Sequence, residues 1–388
     1  MALIVQKYGG SSLATPRHIL RAADRIRRVR DTGKEVVVVV SAMGRMTNHL
    51  VTLAKRTVAN PHQRELDMLM TAGERVSMAL LAMALEDKGV KAISFTGSQS
   101  GIITSCEHTD AKIIDIRPHR IQQELKNGRV AIIAGFQGIS EQKEITTLGR
   151  GGSDTTAVAL AAALEAECCE ILTDVDGLFT ADPRLCPNAK LIEACSYDEA
   201  LELATLGAKM HGRSIELAKR FGVHIWIGSS ANPDCRGTHL KVSGDTMEKP
   251  AVRGIASKDG YHFFRLRLSL HELLAILEPR KIPLRFFNYA SGVVSFLCES
   301  EKAPLVKDAL ALKVGLEEAG KVSIVSVVGD GLSNSADVFP KFVSAMGEFA
   351  GSALLICANA LSLTVAVPSE NKQALVSALH TKLFDPSC

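Results

Sequence analysis

At 388 residues the chain is longer than one typical hydrophobic core, so two or three domains are expected. Hydrophobic residues make up 46% and aromatics only 5%, which gives an aliphatic core, and a net charge of +3 calls for no nucleic acid and no anionic membrane as partner. The 9 cysteines form no C-x-x-C pair and no zinc-spaced Cys/His group, which argues against a zinc site and for a reducing, cytoplasmic setting.

The first predicted strand, Leu3–Gln6, follows no signal-peptide pattern, and no apolar run reaches the length of a membrane span. Lys7-Tyr8-Gly9-Gly10-Ser11-Ser12 comes next. Its glycines let the backbone close on a ligand, and Lys7 leaves the strand end toward the same crevice, although a Gly-Gly turn between strand and helix is common. In a helix over Pro16–Arg30 the apolar positions Ile19, Leu20, Ala23, Ile26 and Val29 recur with helical spacing, and its basic residues form a solvated face. Further strands are expected at Glu35–Ser41, Ala92–Phe95, Arg129–Ala134, Glu170–Thr173 and His224–Ile227. Helical patterns lie between them at Gln63–Asp87, Pro118–Lys126, Asp154–Glu165, Tyr197–Leu206 and Ser214–Phe221. Val36–Val40 is apolar at every position, as a parallel sheet buried on both faces requires. Such sheets bind ligands at the carboxyl ends of their strands. Glu74, within a helical stretch, reads on its own as a surface glutamate.

The segment Thr146–Thr156 is the most informative of the chain. Gly149, Gly151 and Gly152 expose backbone N–H groups, Arg150 supplies a fixed positive charge, and Asp154 follows just before an alanine-rich helix. Free N–H groups and the helix dipole both favour an anion there. The plain alternative is a tight turn capped by Ser153 or Thr155, but the arginine and the aspartate favour a loop built for charged ligands.

Thr173-Asp174-Val175-Asp176-Gly177, followed by Thr180 to Arg184, admits two readings. Carboxylates beside an arginine at a strand end suit a nucleotide and its metal, and an Asp-Gly turn with solvated acids fits equally. Gly207 to Ser214 matches a phosphate-loop pattern superficially, with Arg213 for lysine, but it follows a helix where that motif must follow a strand. The histidines are dispersed, and none pairs with a serine or cysteine nucleophile.

A polar stretch, Ser243–Pro250, reads as a linker. After it come two strand–helix–strand–strand–helix sets, over Tyr261–Gly320 and Lys321–Phe384, which suggests a duplicated α+β module. Their helices are expected at Ser269–Arg280 and Lys302–Lys313, then Val338–Phe349 and Asn371–Lys382.

Taken together, Lys7–Ser12, Val39–Ala42 leading to Thr47-Asn48, Gly73-Glu74, Thr146–Thr156, Thr173–Gly177 with Thr180–Arg184, and Gly207–Lys209 with Arg213-Ser214 resemble the aspartokinase branch of the amino acid kinase family, in its order. The tail resembles that family's paired ACT modules. The resemblance implies an α/β fold with a three-layer αβα kinase domain over 1–245 and a mainly parallel sheet. A tail of two ACT-like modules would occupy 251–388, with 261–320 inserted between 251–258 and 321–388. The activity implied is transfer of the γ-phosphoryl of ATP, with Mg2+, to the side-chain carboxylate of L-aspartate, the entry to lysine, threonine and methionine synthesis. By the same resemblance Lys7, Gly9, Gly10 and Ser11 would stabilise the transferring phosphoryl, and Asp154 would orient Lys7. Thr47, Glu74, Arg150 and Ser153 would bind aspartate. Thr173, Asp174, Asp182, Arg184 and Lys209 would hold ATP. A homodimer or higher homo-oligomer would form through the tail.

The chain departs from the family pattern in three places. The Gly207–Ser214 loop is one residue short of it, the usual Pro-Gly turns ahead of the first tail helices are replaced by Arg267–His271 and Leu332–Asp337, and Gly351–Leu355 replaces a segment usually reading like Gly-Ile-Asn-Ile. The two departures in the tail predict weak or altered effector binding. Two other activities stand as alternatives: an amino acid kinase for a different small amino acid in a specialised pathway, and a catalytically silent regulatory subunit.

Overall fold

The computed structural model describes residues 2–208, 210–241, 252–311, 313, 315–332 and 335–385. They form two compact units. The first comprises Met1–Leu178, Leu191–Tyr197 and Met210–Ser243, and the second Phe179–Lys190, Asp198–Lys209 and the chain from Gly244 onward.

The first unit is built on an eight-stranded sheet. In chain order its strands are β1 (Leu3–Tyr8), β2 (Glu35–Val40), β3 (Ala92–Phe95), β6 (Val130–Ala134), β9 (Cys168–Thr173), β10 (Ala194–Cys195), β11 (Ile225–Ser229) and β12 (Thr238–Leu240). They run β10-β12-β11-β9-β1-β2-β6-β3 across the sheet, parallel except where β11 meets β12. Five consecutive valines of β2, Val36–Val40, are fully buried, each contributing roughly 1.5–3 kcal/mol of apolar burial. Ile19, Ala22, Ala23 and Ile26 of α1 (Pro16–Asp31) and Leu81 and Leu85 of α4 (Ala72–Asp87) form one core with β1, β2 and β6. On the strands, α6 (Gly152–Ala163) packs against β1, β2 and β9 and is buried at every position from Gly152 to Ala161. Its small side chains let it lie close on the sheet. Helices α2 (Met46–Thr57), α3 (Gln63–Met70), α5 (His119–Lys126) and α8 (Gly212–Phe221) complete this unit. The layered α/β expectation holds.

Two features differ from the sequence reading. A second sheet, of four short strands, runs β5-β4-β7-β8 from β4 (Ile102–Thr104), β5 (Ile113–Ile116), β7 (Gln137–Ser140) and β8 (Ile145–Thr147). Strands of three or four residues leave no readable alternation. The expected helix Gln63–Asp87 is two helices, α3 and α4. The break is at Thr71, whose hydroxyl donates back to Met68 O at 2.9 Å while its carbonyl accepts from Gln137 Nε2 at 3.4 Å; such local bonds compete with the helix ladder. Taken whole, the 25-residue stretch is long and apolar enough to cross a membrane, contrary to the expectation that no run is, but half of its 18-residue apolar window is buried within the protein.

The second unit carries a six-stranded antiparallel sheet, β14-β15-β13-β16-β18-β17, from β13 (Gly254–Arg267), β14 (Phe287–Ala290), β15 (Val293–Glu299), β16 (Glu317–Val328), β17 (Leu355–Ala358) and β18 (Ser362–Pro368). Its helices are α7 (Tyr197–Leu206, all but the first residue), α9 (Leu270–Leu277), α10 (Ala303–Leu310), α11 (Val338–Met346) and α12 (Lys372–Phe384). The register of β13 against β16 shifts between Lys258 and Phe263, and two cores lie along the sheet. Phe264, Leu273, Phe296 and Val306 belong to one, and Ile255, Val325, Phe342 and Leu375 to the other. These are two α+β modules of the expected ACT-like kind. Ala181 and Cys186 are buried in the second core, and Thr180 Oγ1 lies 2.9 Å from His380 Nε2 of α12.

Candidate active site

Lys7 occupies the fifth position of β1, between Val39 of β2 and Ile171 of β9, close to the carboxyl end of the sheet. Its ammonium pairs with Asp154 Oδ1 at 2.5 Å, and both side chains are largely buried. Asp154 lies in the first turn of α6, where the helix dipole favours a negative charge. Asp154 Oδ1 takes no hydrogen bond beyond this ion pair. Gly10 follows on the turn out of β1, with its N-terminal neighbour Gly9 donating to Leu172 O at 3.2 Å. A Cβ on Gly10 would come within 2.8 Å of Ala42 O, so a side chain there would push apart the two strand ends that form the crevice floor.

The glycine loop is not a side-chain-capped turn. No side chain caps α6; its N-cap is Gly151 at φ 72°, and Thr155 Oγ1 donates to Gly151 O at 3.1 Å instead. Gly149 is also left-handed, at φ 73°, so Arg150 is carried outward, exposed, between two residues that cost little in that conformation. A Cβ on Gly151 would meet the His211 ring at 2.2 Å.

Lys7, Gly10, Thr47, Glu74, Arg150, Ser153 and Asp154 line one cleft of about 690 Å³. Gly9 and Ser11 stand beside it on the β1 turn and do not line it. Glu74 is 3% exposed, so its reading as a surface glutamate fails. The cause is Gly73: a Cβ there would meet Ala42 Cβ at 2.7 Å, and its absence lets the first turn of α4 close on the end of β2. Glu74 Oε1 accepts from Ala42 N at 3.1 Å, while Oε2 is buried without a partner. Burial pushes this carboxyl up to about 7, against the smaller opposing pull of its backbone hydrogen bonds. An arginine, an unsatisfied carboxylate and a lysine in one cleft can receive a small molecule that carries two carboxylates and an ammonium.

The residues expected on the nucleotide side fall in both units. Thr173, at the end of β9, donates to Asp174 Oδ1 at 3.0 Å in the first. In the second, Arg184 engages both oxygens of Asp182, at 3.0 Å through Nε and 2.6 Å through Nη2. Lys209 lies outside the described residues. Arg45, Asn48, Thr109, Phe136 and His211 also line the cleft, and the sequence reading missed them as site residues. Phe136 could have been found from its place just after a buried strand, whereas Thr109 sits in a loop with no readable pattern.

The sequence model of the amino acid kinase family matches residues 2–229. An aspartokinase of Mycolicibacterium smegmatis is 41% identical over 404 aligned positions, covering 98% of this chain and 96% of its own. Aspartokinase 2 of Bacillus subtilis is 39% identical, with 98% and 97% covered. The crystal structure of E. coli aspartokinase III in complex with aspartate and ADP superposes with a TM-score of 0.83 at 26% identity, covering 99% of this chain and all of that one.

Proposed function

We propose a reaction for this cleft from one premise: the chain belongs to the amino acid kinase family, in its aspartokinase branch. It is a kinase that moves the γ-phosphoryl of ATP to the side-chain carboxylate of L-aspartate, giving 4-phospho-L-aspartate and ADP. The observation that carries the reading is the pairing, in one cleft, of the Lys7–Asp154 ion pair with Arg150 and Glu74, whose Oε2 is buried without a partner.

An aspartate side chain is ionised at neutral pH, so it attacks without a general base. One of its oxygens forms the new bond to phosphorus as the bond to the ADP oxygen breaks, and no proton moves. The difficulty is electrostatic, because two anions must meet in line. Lys7, aimed by Asp154, supplies positive charge at the transferring phosphoryl, with the backbone of Gly9, Gly10 and Ser11 beside it. Arg150 grips the α-carboxylate as a two-pronged donor, which lysine does poorly. Glu74 Oε2 takes the α-ammonium, and Thr47 and Ser153 complete the acceptor site. Thr173 and Asp174, at the end of β9, hold ATP. No group of three or more metal-ligating side chains occurs among the described residues; this donor set fits Mg2+ held mainly through phosphate oxygens, where it would neutralise phosphate charge.

The kinase domain is assigned to 1–245 and the tail of paired modules to 251–388, with 261–320 inserted between 251–258 and 321–388. The protein is assigned to the cytoplasm as a homodimer or higher homo-oligomer built through that tail, and its product to lysine, threonine and methionine synthesis. The test is to incubate the purified chain with ATP, Mg2+ and a panel of amino acids and trap acyl phosphate as hydroxamate. Signal with L-aspartate is expected. Signal only with a different acid reassigns the substrate, and none with any acid refutes the kinase reading.

A further inference from the structure

Thr109 stands in the wall of the cleft at φ 67°, a left-handed conformation that a β-branched residue enters only under constraint. The constraint is Asp67 of α3, which is completely buried and does not itself line the cleft. Its two oxygens accept from Thr109 N at 3.1 and 3.2 Å. Oδ1 also accepts from Thr147 Oγ1 at 2.5 Å, and Oδ2 lies 2.7 Å from His108 Nδ1. A carboxylate offers only acceptors, so His108 presents a proton on Nδ1. Three donors from two chain segments thus converge on one buried carboxylate, which compensates the cost of burying it.

Those segments are the cleft wall at 108–111 and the entry to the glycine loop. Thr147 ends β8, three residues before Arg150, and its carbonyl accepts from Ala111 N at 2.9 Å. From the side of α8, Arg213 donates to Leu148 O at 2.7 Å and to Ala111 O at 2.8 Å. Both strands of chain are therefore tied at two points, by a carboxylate and by a guanidinium, and Arg150 projects from the tied end.

We propose that Asp67 is a positioning residue for the amino-acid acceptor: it holds Thr109 in the cleft wall and fixes the start of the loop that aims Arg150. The proposal rests on reading this cleft as the aspartate side of the site. It concerns the acceptor and not ATP, so it predicts a divided kinetic effect. In the full-length protein, Asp67→Asn places an amide N–H against one of the converging donors. Aspartate KM should rise about 10-fold or more, because small misplacements of a binding group are costly, with kcat reduced less than about 3-fold and ATP KM unchanged. Thr147→Val keeps the carboxylate and the side-chain volume but removes one donor, and should raise aspartate KM in the same direction by a smaller factor. A purely structural role would lower thermal stability and the active fraction while leaving aspartate KM at the wild-type value, and that result overturns the proposal. Equal rises in both KM values overturn it too. If Asp67→Asn does not fold, Thr147→Val alone decides. A wild-type chain that makes no acyl phosphate from aspartate removes the functional reading and this inference with it, whereas an active wild type with unchanged variants removes the inference alone.

Discussion

The ionisation of Glu74 decides whether the acceptor's ammonium finds a counter-charge. With its carboxyl pushed up to about 7 by burial, the free enzyme is partly protonated at neutral pH, so aspartate KM should fall as pH rises from about 6 to about 8. The effect on stability runs the other way. The folded protein holds this proton to higher pH than the unfolded chain does, so the group's contribution is full below its ordinary value of 4.5 and is lost as pH climbs to about 7. The loss is about 3 kcal/mol. Glu74→Gln should flatten both profiles and raise aspartate KM throughout; urea unfolding and initial rates across the range check this, and profiles unchanged from wild type would refute the assignment. For the two cations, Lys7→Ala should lower kcat by about 100-fold or more, and Arg150→Ala should act chiefly on aspartate KM. Equal, small effects from both in steady-state assays would mean the roles are misassigned. Lys7, Arg150 and Asp154 were legible because each adjoins a glycine turn at a strand or helix end. Asp67 and Thr109 were not, since a buried carboxylate on an amphipathic helix reads locally like any polar residue.

At the scale of the element, the loop into α6 depends on Gly151 twice, for its φ of 72° and for the His211 ring against it. Gly151→Ala should cut kcat/KM by about 10-fold or more through both strain and displacement of the ring. Adding His211→Ala removes the collision but not the strain, and should restore activity only in part. Full restoration would show that the backbone conformation carries no cost, and none would show that the ring is irrelevant. The buried strands were readable because continuous apolar runs such as Val36–Val40 fit only a doubly covered sheet. The split between α3 and α4 was hidden because it depends on Gln137, a residue distant in sequence, reaching Thr71 O. The small four-stranded sheet escaped for the same reason, its strands being too short to declare themselves before they pair.

At the scale of the whole molecule, the tail carries the chain's largest departure from the family pattern. Where the family pattern expects a Pro-Gly turn, α9 begins with a closed capping box: Ser269 Oγ accepts from Glu272 N at 3.3 Å, and Glu272 Oε2 accepts from Ser269 N at 3.1 Å. The backbone N–H groups of Ser269 and Glu272 are thus already satisfied. Calorimetry should show no micromolar binding of lysine or threonine, and such binding would contradict this account of the turn. The layered architecture followed from the alternation of strand and helix patterns. The burial of Ala181 and Cys186 in the core of a tail module did not, because nothing local to residues 179–190 marks them as belonging there. The central claim is that this cleft phosphorylates the side chain of L-aspartate. Phosphorus NMR of the wild-type protein with ATP, Mg2+ and L-aspartate addresses it most directly. An acyl-phosphate resonance that grows with ADP and disappears on adding hydroxylamine is the predicted result, and release of inorganic phosphate alone would contradict it.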